Sequence, residues 1–230
     1  MDRRWKIALL IAASLTVPVA RTATSKPTAN SSRCKSPHDQ QVDIEGVQCF
    51  EAPNNRQSVR VDHGQIVVRY ENREYPMGSM DYGSILWSPG SDGFAIGDSN
   101  GSGESDLFSY VDLSGRAPRR TKVLRTSAAK LYAQRFQCPA TGSYVYSWVD
   151  GWQEKRRIRL IVQEGVHSER CVHSDPAEVE IGVVGDPRTG RIYRVLSQED
   201  VLKEWCSNEQ RSKFGYCYEE AKAKPAQSTH

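Results

Sequence analysis

The stretch SVRVDHGQIVVRY, residues 58–70, decides the fold class. Val59 and Val61 alternate with polar residues. The chain then turns at Asp62-His63-Gly64, and Ile66, Val68 and Tyr70 resume the same rhythm. A period of two puts the apolar residues on one face of a pleated strand. Two such runs around a short glycine-containing turn make a β-hairpin.

The rhythm recurs along the chain. YVYSWV (144–149) alternates, and RIRLIV (157–162) places Ile158, Leu160 and Val162 on one face. DGWQEKR (150–156) supplies the turn between them, with Asp150-Gly151 as its strongest signal. EVEIGVVGDPRTGRIYRVL (178–196) reads as a further hairpin closed by GDPRTG, with Val179, Ile181 and Val183 sharing a face. Helical spacing is scarce. TSAAKLYAQRF (126–136) offers Ser127 as a candidate N-cap, with Ala128, Leu131, Tyr132 and Arg135 on one stripe. SQEDVLKEWC (197–206) has Ser197 three residues before Asp200, an acidic form of the capping box, and the stripe Val201, Leu202, Trp205. These patterns predict a mainly β protein of antiparallel sheets, a sandwich or partial propeller-like array, with one or two short helices.

The 230 residues divide into four parts on composition. Residues 1–23 read as an export signal: Arg3, Arg4 and Lys6 precede an apolar run over 7–20. That run is too short for a ~30 Å hydrocarbon core, which takes about 20 apolar residues. An uncleaved amphipathic anchor is the alternative reading. Residues 24–33 are a Ser/Thr-rich linker, 34–220 a single β-rich domain, and 221–230 a frayed tail. The net charge is +3, but four basic residues against one acidic lie in residues 1–23. The rest of the chain is balanced, which leaves no global electrostatic case for nucleic acid or anionic lipid.

All six cysteines lie beyond the leader: Cys34, Cys49, Cys138, Cys171, Cys206 and Cys217. An even count behind an export signal implies disulfides in an oxidising compartment, periplasmic or extracellular. Six cysteines admit fifteen pairings. Nearest-neighbour closure is the expectation: Cys34–Cys49, Cys138–Cys171 and Cys206–Cys217. No C-x-x-C spacing supports a zinc knuckle.

Residues 85–113, ILWSPGSDGFAIGDSNGSGESDLFSYVDL, pack small polar residues between apolar runs. Asp98, Asn100, Ser102, Glu104 and Asp106 place oxygens at alternate positions, and Gly101 and Gly103 allow a tight coil. Calcium wants six to eight oxygens, so Asp98, Asn100, Ser102 and Asp106 are a candidate calcium set. Through Asp98, Asn100, Gly101, Gly103, Asp106 and Leu107 the segment resembles the calcium loop of the integrin-type FG-GAP repeat. Ser102 stands where that family carries a second Asp. Trp87-Ser88-Pro89, Asp92-Gly93 and Asp112-Leu113 also resemble a blade of TolB-like propellers, and "LWSP" is similar to motifs in small exported bacterial proteins of unassigned activity. The blade pattern occurs once, whereas a closed propeller takes at least four blades. The plain alternative is a solvated hairpin loop without an ion, and no other cofactor is implied.

Other chemistry is thin. His167 and His173 flank Cys171 without a recognised ligand spacing, and a paired Cys171 would dissolve the cluster. G-x-S-x-G is absent. Glu178 and Glu180 fall on the outer face of an alternating strand. Tyr144, Tyr146, Trp148 and Trp152 form an aromatic set suited either to a binding platform or to a core. EKRRIR (154–159) beside it reads as a wet strand face. Asn30 and Asn100 begin glycosylation sequons, relevant only in a eukaryotic secretory pathway. The expectation is an exported, non-catalytic β domain that binds a protein or glycan partner. The alternatives are a secreted hydrolase with scattered acid and base residues, or a degenerate propeller kept as a scaffold.

Overall fold

Period-two alternation becomes three antiparallel meanders in the computed structural model, which describes residues 34–35, 41–42, 45–99, 107–139, 145–165, 171–172 and 179–206. The leader, the linker and the tail lie outside the described residues.

The first sheet runs β2 (Val47–Glu51), β3 (Ser58–Asp62), β4 (Gln65–Tyr70), β5 (Arg73–Ser79) in spatial order. The β3–β4 hairpin pairs Val61 with Ile66 and Val59 with Val68, and all four side chains are buried. Its two turn residues, His63 and Gly64, both have positive φ, 45° and 78°. That is the left-handed pair whose twist matches flanking strands. A Cβ on Gly64 would come within 2.6 Å of the Met80 carbonyl oxygen, so this turn needs glycine for space as well as for φ.

The second sheet is β6 (Tyr82–Trp87), β7 (Gly93–Ser99), β8 (Leu107–Asp112) and β9 (Arg119–Thr121), with β1 (Gln41–Val42) on the free edge of β6. The third is β10 (Val145–Glu154), β11 (Arg157–Glu164), β12 (Glu180–Gly185) and β13 (Ile192–Ser197). One parallel pair, Leu107 with Ser147, joins β8 to β10.

The layers are set by which faces are apolar. Phe50, Val59, Val61, Ile66 and Val68 of the first sheet share a core with Ile85, Trp87, Phe94, Ile96 and Val111 of the second. The opposite face of the second sheet, Ala95, Phe108 and Tyr110, packs with helix α1 (Val123–Arg135) and with Ile158, Leu160, Ile181 and Val183 of the third. The far face of the third sheet, Ile161, Val184 and Leu196, is covered by Val201 and Trp205 of helix α2 (Gln198–Trp205). The second and third sheets are therefore buried on both faces, and β11 is buried at five consecutive positions, 158–162, instead of alternating.

Two disulfides close as expected, Cys34–Cys49 and Cys138–Cys171. Each typically contributes about 2–4 kcal/mol by restricting the unfolded chain. Cys206 is also disulfide-bonded; Cys217 lies outside the described residues. Ser197 caps α2 as its spacing predicts, accepting the Asp200 N–H at 3.2 Å.

Three local expectations are corrected. Helix α1 begins at Val123, not after Ser127, because the Thr121 hydroxyl accepts the Val123 N–H at 3.3 Å and Ser127 sits inside the helix. The β10–β11 turn falls at Lys155-Arg156, where Glu154 faces Arg157. Asp150-Gly151 instead forms a bulge within β10. Arg159, expected on a wet face, is buried at 6% exposure because α2 lies over that face. It pairs with Asp150 at 2.7 Å and lies 5.1 Å from the Trp205 ring centre. A Cβ on Gly151 would meet the Arg159 guanidinium at 3.1 Å, so the Asp-Gly pair that reads as a turn makes room for an ion pair.

Candidate functional site

The WSPGSDG segment builds a tight turn between β6 and β7. Ser88 Oγ donates to Asp92 Oδ1 at 2.7 Å and accepts the Asp92 N–H at 3.1 Å. The backbone closes with Ser91 N–H on the Ser88 carbonyl and Ser88 N–H on the Gly93 carbonyl, each at 2.9 Å. Ser91 holds a positive φ of 57° and its hydroxyl accepts the Asn54 N–H, which ties the β2–β3 turn to this one. Trp87 and Phe94 flank the turn with ring centres 4.9 Å apart.

Across the turn lies the GDPRTG loop of the third sheet. Asp186 organises it by accepting the Arg188 N–H at 2.8 Å, and Gly190 completes it at φ 72°. The loop delivers the Arg188 guanidinium to two carboxylates of the second sheet. Nη2 reaches Asp92 Oδ2 at 2.6 Å, and Nε reaches Asp112 Oδ1 at 3.2 Å. Arg156 approaches the same Asp92 oxygen at 3.8 Å. Asp112 Oδ1 also accepts the Ser114 N–H and hydroxyl. Tyr110 Oη lies 3.4 Å from the Asp92 carbonyl, and a Cβ on Gly93 would come within 2.0 Å of that oxygen. Burial pushes the Tyr110 hydroxyl well above the usual phenol range, although Arg188 offsets part of the rise. Burial works against the charge of Arg188, but Tyr110, Asp92 and Asp112 outweigh it and hold the guanidinium more firmly protonated than usual.

Serine, two aspartates, tyrosine and arginine thus converge on one seam. The side chains of Asp92, Asp112 and Arg188 are 26%, 25% and 17% exposed. Both oxygens of Asp92 are engaged, one by Ser88 and the other by the two arginines. The chemistry this favours is fastening, since charge-assisted bonds in a partly dry seam hold two loops in register. Arg120 fastens the other interface in the same manner. It donates to Ser109 Oγ at 2.9 Å and to the Met77 carbonyl at 2.8 Å, and burial lowers its affinity for the proton.

Of the residues singled out from sequence, Asp98, Tyr146, Trp148 and Trp152 are among the described residues, and they lie in different parts of the fold. Asp98 lies in β7 opposite Leu107, where its carboxylate accepts the Asp81 N–H at 3.0 Å. Burial raises its carboxyl above the usual range, against the stabilising Asp81 bond. Asn100, Ser102, Glu104 and Asp106 lie outside the described residues, as do His167, His173, Glu178 and Tyr144. Among the described residues no group of three or more His, Cys, Asp or Glu is placed to hold a metal, and no helix is long and apolar enough to cross a membrane. Glu180 is half-buried rather than outward-facing, near the Tyr132 hydroxyl that donates to the Val179 carbonyl.

The aromatic set is split by the β10 bulge. Tyr146 and Trp148 precede it; Trp148 packs toward α2 with Ile161 and Trp205. Trp152 comes after it and faces the opposite core, edge-on to Tyr110 at 6.1 Å, with its indole N–H donating to the Leu86 carbonyl. A different aromatic is exposed. Tyr193 on β13 carries the Arg157 and Arg191 guanidiniums over its ring, 4.6 and 5.2 Å from its centre. Neither Arg188 nor this Tyr193 group has a local sequence signature, because both are assembled from separate turns. Comparison with known protein families, curated proteins and solved structures finds no match for this chain.

Proposed function

We propose that the protein is an exported, non-catalytic β domain that binds a protein or glycan partner in the periplasm or outside the cell. The observation that carries this reading is the engagement of the convergent carboxylates. Asp92 and Asp112 both hold Arg188, which suits positioning rather than proton transfer, where a general acid or base needs a free face toward substrate. Disulfides at Cys34–Cys49 and Cys138–Cys171 fit an oxidising compartment. The antiparallel run β6–β7–β8, which holds residues 85–113, supports reading that stretch as one blade of a propeller-like scaffold.

The test is binding without turnover. A partner recovered from envelope or secreted extract is purified and titrated against the full chain; a saturable 1:1 complex with unchanged partner supports the reading. The rival reading, a secreted hydrolase, draws on the same seam, where two carboxylates, a phenol and a guanidinium meet. Turnover of ester, glycoside or peptide substrates that Asp92→Asn abolishes would replace binding by hydrolysis.

A further inference from the structure

We propose that the turn end of the third sheet is a docking surface for an anionic glycan bearing carboxylate or sulfate groups; the assignment rests on the binding reading above. The β10–β11 and β12–β13 turns lie side by side because Ile158 of β11 pairs with Gly185, and Gly185 with Ile192. They bring Lys155, Arg156, Arg157, Arg188 and Arg191 to one end of one sheet. Arg188 is neutralised by Asp92 and Asp112, and Arg157 pairs with Glu154 at 3.2 Å. Lys155 and Arg191 are exposed and hold no carboxylate among the described residues, while Arg156 is 71% exposed and only 3.8 Å from a shared Asp92 oxygen. Asp186 lies in the same turn, where it accepts the Arg188 N–H, so the cationic character of this end rests on the exposed Lys155, Arg156 and Arg191.

Tyr193 decides the partner's chemistry. Its ring already carries two guanidiniums, so the surface presents charge and N–H donors more than an open aromatic face. A protein partner wants a central apolar anchor, and the one large apolar side chain exposed on β13 is this occupied ring. A neutral sugar wants a free ring to stack on. Guanidiniums match planar carboxylate and sulfate oxygens in pairs, and their orientation over Tyr193 is already set before a ligand arrives. A polymer with repeating anionic groups can span Lys155, Arg156 and Arg191 in one pass.

The test uses surface plasmon resonance of the full chain over an immobilised heparin oligosaccharide, with polygalacturonate as a carboxylate-only glycan. The expected result is binding that weakens with salt and that polygalacturonate competes, while neutral dextran does not. The double variant Lys155→Gln with Arg191→Gln loses roughly fivefold per contact in ~0.1 M salt, since each cation no longer releases a counterion. The matched control, Lys130→Gln with Lys203→Gln, removes two exposed charges on the helices and retains affinity. Unchanged melting temperatures show that both variants fold. Equal losses in the two variants, or stronger competition by poly-glutamate or duplex DNA than by the glycans, overturn the assignment. Failure to bind any anionic glycan sinks this surface alone, whereas substrate turnover sinks the non-catalytic reading alone.

Discussion

Asp150→Ala tests how the third sheet is held together. Asp150 and Arg159 are 2.7 Å apart with side chains only 4% and 8% exposed, and the Trp205 ring lies against the guanidinium. Removing the carboxylate leaves a permanently charged group in a dry site, because arginine does not neutralise itself by losing a proton. Breaking a buried pair from one side costs about 3–5 kcal/mol. For a domain of this size that lowers the melting temperature by roughly 10 °C. Arg159→Met placed on top of Asp150→Ala removes the buried guanidinium and keeps apolar contact with Trp205. Replacing both members of a buried pair by apolar groups is often neutral or stabilising, so the double variant should recover most of the loss. Urea unfolding monitored by tryptophan fluorescence reads all four corners of the cycle, with Trp148 and Trp205 in the adjoining core as reporters. A single-variant cost under about 1 kcal/mol, or a double variant no better than Asp150→Ala, would refute the burial argument.

Other consequences are directly measurable. Gly93→Ala drives a methyl within 2.0 Å of Tyr110 Oη and 2.4 Å of the Val111 carbonyl oxygen, so it should destabilise by about 1–3 kcal/mol or more in a denaturant melt; a wild-type midpoint would show that the β7–β8 approach is looser than described. Asp98 has its carboxyl raised by burial, so the fold favours its protonated form and gains stability as pH falls through that raised value. Asp98→Asn should therefore stabilise at neutral pH, with the gain disappearing below about pH 4; a loss of stability at pH 7 would show that the charged form is the one the fold wants. If the segment after Asp98 is a plain hairpin loop, ~2 mM calcium leaves the melting temperature unchanged, whereas a rise reversed by EDTA identifies a calcium site.

The sheet architecture was legible where the causes are local. Val59, Val61, Ile66 and Val68 announce their hairpin because a strand alternates its faces, and His63-Gly64 announces its turn because few residues accept positive φ twice in succession. Ser197 declares the start of α2 for an equally local reason. Short disulfide closures fall in the same class.

What misled was long-range. Asp150-Gly151 has the composition of a turn, and its use as a bulge depends on Arg159 across the strand pair. Arg159 looked solvent-facing because nothing in RIRLIV tells that α2, about forty residues on, will cover it. The same bulge changes the phase of β10, so Trp148 and Trp152, four residues apart, face different cores. Arg188 meets Asp92 across 96 positions of sequence, and Tyr193 meets Arg157 across an intervening strand. A period or a motif records neighbours along the chain and is blind to such pairs.

Intact-mass analysis of the protein purified from its native host, with and without reductant and with alkylation of free thiols, tests the central claim most directly. An exported, disulfide-fastened β domain should lack the segment through about residue 23 and show no alkylation until reduced. A chain of full length whose six cysteines all alkylate without reductant would contradict it.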